Sequence, residues 1–405
     1  MISFEEALKL VREEIRPLTP RKVSLLEATD HVLAEDVCAT VDVPGKDVSL
    51  KDGYAVISED ISHASPESPV SLRLVGESFA GSEGELVLTP GCCVCVTAGA
   101  PVPEGASAVL AEEFSRREGD LVLALADAPS GKNILRKGAD ISAGRPLLPK
   151  GSLLSPAKVG LLAAGGLSEV EIYPRPRVLI LATGDEIVAP GKPLKPGQIF
   201  ASNLVTLASW CKRFGFENQT RIVKDEEKAL KEALEGFLRE PFDVLLTSGG
   251  AWRGPRDLVV RLLDEAGWRK IFHRVRIGPG KAVAFGLLQE KVVFCLPGGP
   301  PSNQMAFLNL ALPGLFFVAG FKEAPFSKFP VRLRKTLRGE RGWTQLFLGK
   351  LEKEGKEIYF EPLPRKSRLS YLAEGEALVH IPEGKEELAA GNLVCAQILE
   401  HQRLC

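Results

Sequence analysis

The sequence predicts a multidomain α/β protein with a central three-layer α/β domain whose sheet is of the parallel type. A β-rich segment precedes that domain and a small β barrel or sandwich follows it. Three observations carry this. Between about 177 and 298, continuous apolar runs alternate with amphipathic stretches, the pattern of strands buried on both faces and joined by helices. Between about 40 and 130, short β-rich runs alternate with Gly, Pro and Ser clusters. From about 325 the helical periodicity ends and only strand-like runs remain.

Residues 3–15 place Phe4, Leu8 and Val11 on one side of a predicted helix, and "VSLLEATDHVL" at 23–33 reads as a second short helical segment. "SLRLV", "ELVLTPGCCVCV" and "DLVLALA" are the strands of the β-rich segment. Residues 133–172 return to mixed character, with a helix from about 155 to 165, and the prolines of "YPRPRV" at 173–178 mark a boundary. Then come "RVLILATGDE" (strand), "NLVTLASWCKRFGF" (helix), "QTRIVKD" (strand), "EEKALKEALEGFLRE" (helix), "DVLLTSGG" (strand), "RDLVVRLLDEAG" (helix) and "KVVFCLPGG" (strand). "KFPVRLRKTLRG", "TQLFLGKLEKE", "KEIYFEPL" and "NLVCAQILE" supply the last β unit.

The 405 residues suffice for several domains, and a net charge of −1 gives no global field toward nucleic acid or an acidic partner. The N-terminus lacks the apolar core of a signal peptide, and no run approaches the ~18 apolar residues of a membrane span. The expected location is the cytoplasm, with no membrane and no nucleic acid as partner. The eight cysteines sit mostly in apolar runs and read as reduced thiols. "GCCVC" at 91–95 reads as a buried strand, with Cys93 and Cys95 on one face and Cys92 on the other, because no second Cys or His cluster follows at zinc spacing.

In parallel α/β sheets, ligands bind beyond the carboxyl ends of the strands. Here those ends carry "ATGDE" at 182–186, "KD" at 224–225, "TSGG" at 247–250 and "LPGGPPSN" at 296–303. Gly184 permits a sharp turn and close backbone approach, Thr183 before it is a candidate substrate contact, and Asp185 and Glu186 offer carboxylates for Mg²⁺ or for orienting water. Ser248, Gly249 and Gly250 offer a hydroxyl and close backbone approach to an anion, while Asp257 has a competing role as a helix cap. After Pro297 and Gly298, Ser302 and Asn303 stand where a helix start would present free N–H groups, and both are also ordinary capping residues. Lys281 sits in the glycine turn "GPGKAVAFG". The scattered histidines make a hydrolase triad unsuitable, and neither a Rossmann fingerprint nor a P-loop is present.

The order "DVSLKDGYAV", "TAGAPVPEGASAVLAEE", "LRKGADISAGRPLLPKGSLLSPAKVGLLAAGGLSEVEIYPRPRVLILATGDEIVAPG", "GQIFASN", "TSGGAWRGPRD", "GPGKAVAFG" and "LPGGPPSN" resembles the molybdopterin molybdenumtransferase (MoeA) family, which includes the E domain of gephyrin. The resemblance covers essentially the whole chain, and 136–191 is its most specific block. It implies four domains: a helical linker region (1–40 and 132–172), a β-rich insertion (41–131), an α/β molybdopterin-binding domain (173–324) and a C-terminal β domain (325–405). It further implies a homodimer whose site draws on both copies, an upstream molybdopterin-adenylating enzyme as partner, and a Mg²⁺-dependent reaction. In that reaction adenylylated molybdopterin loses AMP and receives molybdate, or tungstate. By motif, the resemblance assigns the catalytic carboxylates Asp52, Asp140, Glu186, Asp225 and Asp257, with Glu186 and Asp257 on the metal. It places Lys281, Ser302 and Ser367 at the oxyanion, and Thr97, Gly99, Ser248, Gly249 and Gly250 near phosphate.

The chain departs from the family pattern around this site. Val48 and Lys51 replace Asn and Met of "DNSAMDGYA", and Trp252 and Pro255 replace a Ser and an acidic residue. Gly299 and Pro301 replace Asn and Val of "LPGNPVS", and Gly278 and Ala282 replace Lys and Pro of "KPGKP". Trp343 and Leu348 stand where the family carries arginines. Arg253, Arg256, Arg276, Arg365 and Arg368 are cations that either rebuild the anion pocket or sit on the surface. These departures leave a second reading, a catalytically altered paralogue acting as molybdopterin carrier or scaffold.

Overall fold

The computed structural model describes residues 1–82, 86–250, 258–324, 326–364 and 368–399. The chain forms two compact units, Lys22–Ile172 and a second made of Met1–Arg21 with Tyr173–Cys405.

In the second unit, four parallel strands lie in the spatial order Asn218–Val223, Val178–Thr183, Val244–Ser248, Lys291–Leu296. Alternate residues of each strand face opposite ways. Val178, Ile180 and Ala182 pack with Leu204, Leu207 and Cys211 of the helix Ser202–Arg213. Leu179 and Leu181 pack with Leu230, Leu234 and Phe237 of the helix Glu227–Arg239 and with Val259, Leu262 and Leu263 of the helix Leu258–Glu265. Both faces are thus covered, which is why these strands read as unbroken apolar runs. The sheet is not parallel throughout: Ala284–Leu288 and Arg269–His273 extend it as antiparallel edge strands, with the tight turn at Gln289–Glu290 joining Ala284–Leu288 to Lys291–Leu296. Gly286 is needed where it lies, since a Cβ there would approach the Arg269 carbonyl oxygen to 2.4 Å.

The C-terminal β domain is a closed barrel. Thr344–Glu354 pairs with Glu357–Pro362 and with Ala377–Ile381; Leu393–Ile398 pairs with Ala377–Ile381 and Lys328–Leu333; Lys328–Leu333 pairs with Glu357–Pro362. Val331, Leu333, Phe360, Val379 and Ala396 fill its interior. Val275–Gly278 adds in parallel to Thr344–Glu354 and sets Gly278 beside Gln345. The N-terminal helix Phe4–Glu14 starts at Ser3, whose hydroxyl accepts from the Glu6 N–H, and buries Phe4, Ala7 and Val11 in the α/β core. By its contacts Met1–Arg21 groups with the α/β domain.

Lys22–Ile172 holds a six-stranded sheet in the order Ser115–Glu118, Leu121–Ala124, Val70–Ser78, Cys92–Val96, Gly53–Val56, Ala108–Ala111. The helix Pro156–Ala164 packs Leu162 against Leu25, Leu33, Val170 and Ile172. The expected helix at 23–33 does not form. Arg21–Ser24 and Val32–Leu33 are strands on either side of Glu169–Tyr173, joined by a turn in which Asp30 adopts φ +61°. Leu25, Ala28 and Leu33, which imitate a helical stripe, are buried one by one in the same small core. Among the described residues no helix is long and apolar enough to cross a membrane.

Candidate functional site

The parallel strands end level with one another: Ala182 lies opposite Ser248, and Ser248 opposite Leu296. That crowding dictates the residues just past each strand. Gly249 has φ +100°, and a Cβ on it would lie 2.7 Å from the Thr183 carbonyl oxygen. Gly250 has φ +64°, and its Cβ would lie 2.7 Å from Val259 Cγ2. The paired glycines are thus required by packing and conformation together. The Gly249 N–H donates to the Leu296 carbonyl at 3.2 Å, which ties the two turns.

Above these ends lies a cavity of about 700 Å³. Thr183, Gly184, Glu186, Asp225, Gly249, Gly250, Lys281, Pro297, Gly298 and Ser302, all singled out from the sequence, line it. The barrel contributes Glu340, Trp343 and Gln345, which the Ile277–Gly278 ladder brings alongside. The Thr183 hydroxyl donates to Asp225 Oδ1 at 3.1 Å, and the Asp225 N–H donates to Asp185 Oδ1 at 3.3 Å, so adjacent strand ends share one carboxylate network. The Lys281 ammonium lies 5.2 Å from the centre of the Trp343 ring. Among the described lining residues there are three carboxylates (Glu186, Asp225, Glu340) and one cation, Lys281. From these described residues alone, an oxyanion entering would meet net negative charge.

Ser248 lies mostly below the floor, lining an adjoining cavity of about 140 Å³ that shares Thr183, Glu186, Gly249 and Gly298 with the larger one. Its hydroxyl oxygen accepts from Asn203 Nδ2 at 3.2 Å and from Asn303 Nδ2 at 3.1 Å. Neither Ser302 nor Asn303 is a cap: the helix Pro300–Ala306 begins after Gly299 with no side-chain cap bond, and both residues lie inside it. Pro300 and Pro301 occupy its first turn and have no N–H to offer, so the expected set of free helix-start donors is reduced. Cys295, behind the floor, is buried with its thiol pushed up to about 12 by desolvation, and is unsuited to nucleophilic work.

Other sequence candidates lie elsewhere. Asp52, Thr97, Gly99 and Asp140 belong to Lys22–Ile172, where Asp52 Oδ1 accepts from the Ala98 N–H at 2.8 Å. Arg276 pairs with Glu383 and does not line the cavity, so it does not replace a lost site cation. Leu348 is buried in the core, and Arg368 is exposed at the start of a short helix and does not line the cavity, so neither faces the site. Asp257, Ser367, Trp252, Arg253, Pro255, Arg256 and Arg365 lie outside the described residues. Glu340, Gln345 and Asn203 escape a reading of the sequence, and Asn303 reads there only as a helix-start or capping residue. "GQIFASN" and "LPGGPPSN" stand out as motifs, but only pairing across chain-distant strands gives their asparagines a partner.

Three family models match consecutive parts of the chain: the MoeA N-terminal region (domain I and II) over residues 2–166, a probable molybdopterin binding domain over 179–316, and the MoeA C-terminal region (domain IV) over 330–399. The chain is 33% identical over 396 residues to molybdopterin molybdenumtransferase 2 of Mycobacterium tuberculosis, covering 96% of this chain and 98% of that one. It is 32% identical over 401 residues to the molybdopterin molybdenumtransferase of Synechococcus elongatus, covering 97% and 98%. Among solved structures it resembles a molybdopterin biosynthesis MoeA protein from Pyrococcus horikoshii, with a TM-score of 0.86 at 31% identity over 99% of this chain and 100% of that one.

Proposed function

We propose that this chain, which belongs to the molybdopterin molybdenumtransferase (MoeA) family, acts in molybdenum cofactor biosynthesis by placing molybdate or tungstate on molybdopterin as adenylylated molybdopterin releases AMP. The observation that carries this reading is the cavity at the parallel strand ends, where glycine turns, a lysine, a serine and two strand-end carboxylates meet.

The chemistry rests on the groups that line the cavity. The glycine turns let backbone approach a phosphate closely, and Lys281 supplies positive charge at one wall. A water oxygen attacks phosphorus, the bridging P–O bond breaks, and AMP departs. Glu186 or Asp225 takes the proton from that water, and Thr183 holds Asp225 in place for it. The site residues fit Mg²⁺ as cofactor. Among the described lining residues hard carboxylate oxygens outnumber cations, and Mg²⁺ is bound through one or two carboxylates together with substrate phosphates. Glu186 would hold the ion with Asp257, and when bound the ion neutralises phosphate charge. Molybdate is substrate, not a resident metal.

In this reading Asp52, Thr97, Gly99 and Asp140 act from the second copy of a homodimer, and an adenylating enzyme supplies the substrate. The test is to incubate the pure protein with adenylylated molybdopterin, Mg²⁺ and molybdate or tungstate, and to measure AMP. No AMP with either oxyanion sinks the proposal. A carrier or scaffold role is the second reading, favoured by the uncharged Trp343 and Gly278 where the family has cations; tight binding of the pterin without AMP release would select it.

A further inference from the structure

We infer that Asn203 and Asn303 are positioning residues that aim the Pro297–Gly299 turn at the anionic part of the ligand. The inference rests on the proposed reading for the identity of that ligand, and on the geometry alone for the existence of an anion subsite.

Each asparagine makes two bonds from one amide nitrogen. Asn203 Nδ2 donates to Ser248 Oγ and, at 2.7 Å, to the Gly298 carbonyl. Asn303 Nδ2 donates to Ser248 Oγ and, at 2.8 Å, to the Pro297 carbonyl. The two amides thus grip consecutive carbonyls of one turn and meet on a single hydroxyl. Asn303 is 1% exposed and Ser248 6%, so the Asn303 half of this arrangement is sheltered from competing water, while Asn203 is only partly buried.

Two consequences arise from peptide geometry. In a trans peptide the C=O and the next N–H point in opposite directions. Holding the Pro297 and Gly298 carbonyls on the asparagine side therefore turns the Gly298 and Gly299 N–H groups the other way. Neither N–H has a hydrogen-bond partner among the described residues, and both glycines line the cavity. The next two residues, Pro300 and Pro301, have no N–H, so the glycine pair carries what the helix start cannot. Second, Ser248 Oγ has both acceptor sites filled, so its own proton is left to donate. That hydroxyl lines the smaller cavity, next to Gly249 and Gly298.

The anchoring also removes a penalty. Left free, either carbonyl would turn its negative end toward the cavity, where Glu186, Asp225 and Glu340 already disfavour an anion. The asparagines spend their donors on keeping those dipoles away.

The experiment uses the full chain, three single variants (Asn203→Ala, Asn203→Asp and Asn303→Asp) and the double variant joining Asn203→Ala to Asn303→Asp. Asn203 is only partly buried, so its alanine variant tests the idea even where Asn303→Asp does not fold. AMP is the probe ligand, titrated calorimetrically, alongside KM and kcat for AMP release. The expected result is a dissociation constant for AMP raised about tenfold in each folded variant, the factor that about 1.4 kcal/mol represents. KM should rise by the same factor with kcat little changed, and the double variant should lose less than the product of the single losses, because both amides act through Ser248. Folded variants that bind AMP as tightly as the parent overturn the inference, as does a parent that binds no AMP. A parent that binds AMP but never releases it from the adenylylated pterin defeats the proposed reaction and leaves this inference standing.

Discussion

The ammonium of Lys281 lies over the face of Trp343, 5.2 Å from the ring centre. The ring faces a cation at the position where the family resemblance expects an arginine. The wall thus carries one positive charge, braced by an aromatic face, in place of two that would repel each other. A cation over an aromatic ring contributes about 0.5–1 kcal/mol at partly exposed sites. Trp343→Leu is therefore expected to raise KM for the oxyanion by roughly two- to fivefold. Trp343→Phe, which keeps a ring face, should recover most of the loss. Steady-state AMP release against molybdate concentration checks both.

The carboxylates should act on the rate, not on the fold. Glu186 and Asp225 line the cavity, and neutral amides of the same shape remove charge and basicity while leaving the strand ends packed. Glu186→Gln and Asp225→Asn are each expected to lower kcat for AMP release, the one that serves as general base by about 10²–10⁴, the usual range for lost general-base work. Thr183→Val, which takes one hydrogen bond from Asp225, should cost far less. Thermal unfolding of all three variants should match the parent to within a few degrees.

The paired glycines are expected to show up in stability before activity. Gly249→Ala would place a methyl 2.7 Å from the Thr183 carbonyl oxygen at φ +100°. Backbone held in such a region costs a non-glycine residue about 1–3 kcal/mol. Gly191→Ala is the control: it also has positive φ, at +86°, but nothing lies within 4 Å of its added carbon. Denaturant titration should show a larger loss for Gly249→Ala, and the difference reports the close approach of the strand ends.

The α/β core was legible because a strand buried on both faces is apolar along its run, as 178–182 and 244–246 are. The strand Ala377–Ile381 went unread, although it completes the barrel, because "EALVHIPE" gives no clean alternation: Leu378 leaves the barrel to join the α/β core while Val379 faces inward. The helix expected at 23–33 failed for a related reason. Its apolar spacing suits a helix, but pairing with Glu169–Tyr173 offers the backbone partners from far along the chain. Site residues at strand ends were legible by rule, and ten of them meet in one cavity. Glu340, Gln345 and Asn203 were not, and Asn303 read only as a helix-start or capping residue, since each gains its role here from a neighbour distant in sequence.

Burial holds His380 in its neutral form, with the imidazole pKa pushed down to about 4 from an ordinary 6.5. Its Nε2 is sealed without a hydrogen-bond partner, and its ring meets Phe4 edge-on at 5.7 Å. Lys328 adds a smaller push in the same direction. Unfolding returns the ring to water, where it binds a proton below about pH 6.5. Between the two values the unfolded chain holds more protons than the folded one, so stability falls as pH drops through that window and levels off below about 4. The loss attributable to His380 is on the order of 3 kcal/mol across the window. His380→Leu is expected to remove that part of the slope while keeping the packing against Phe4. Denaturant midpoints for parent and variant at pH 7.5, 6 and 5 provide the measurement. Parallel pH profiles for the two proteins would show that the imidazole is not held neutral by the fold.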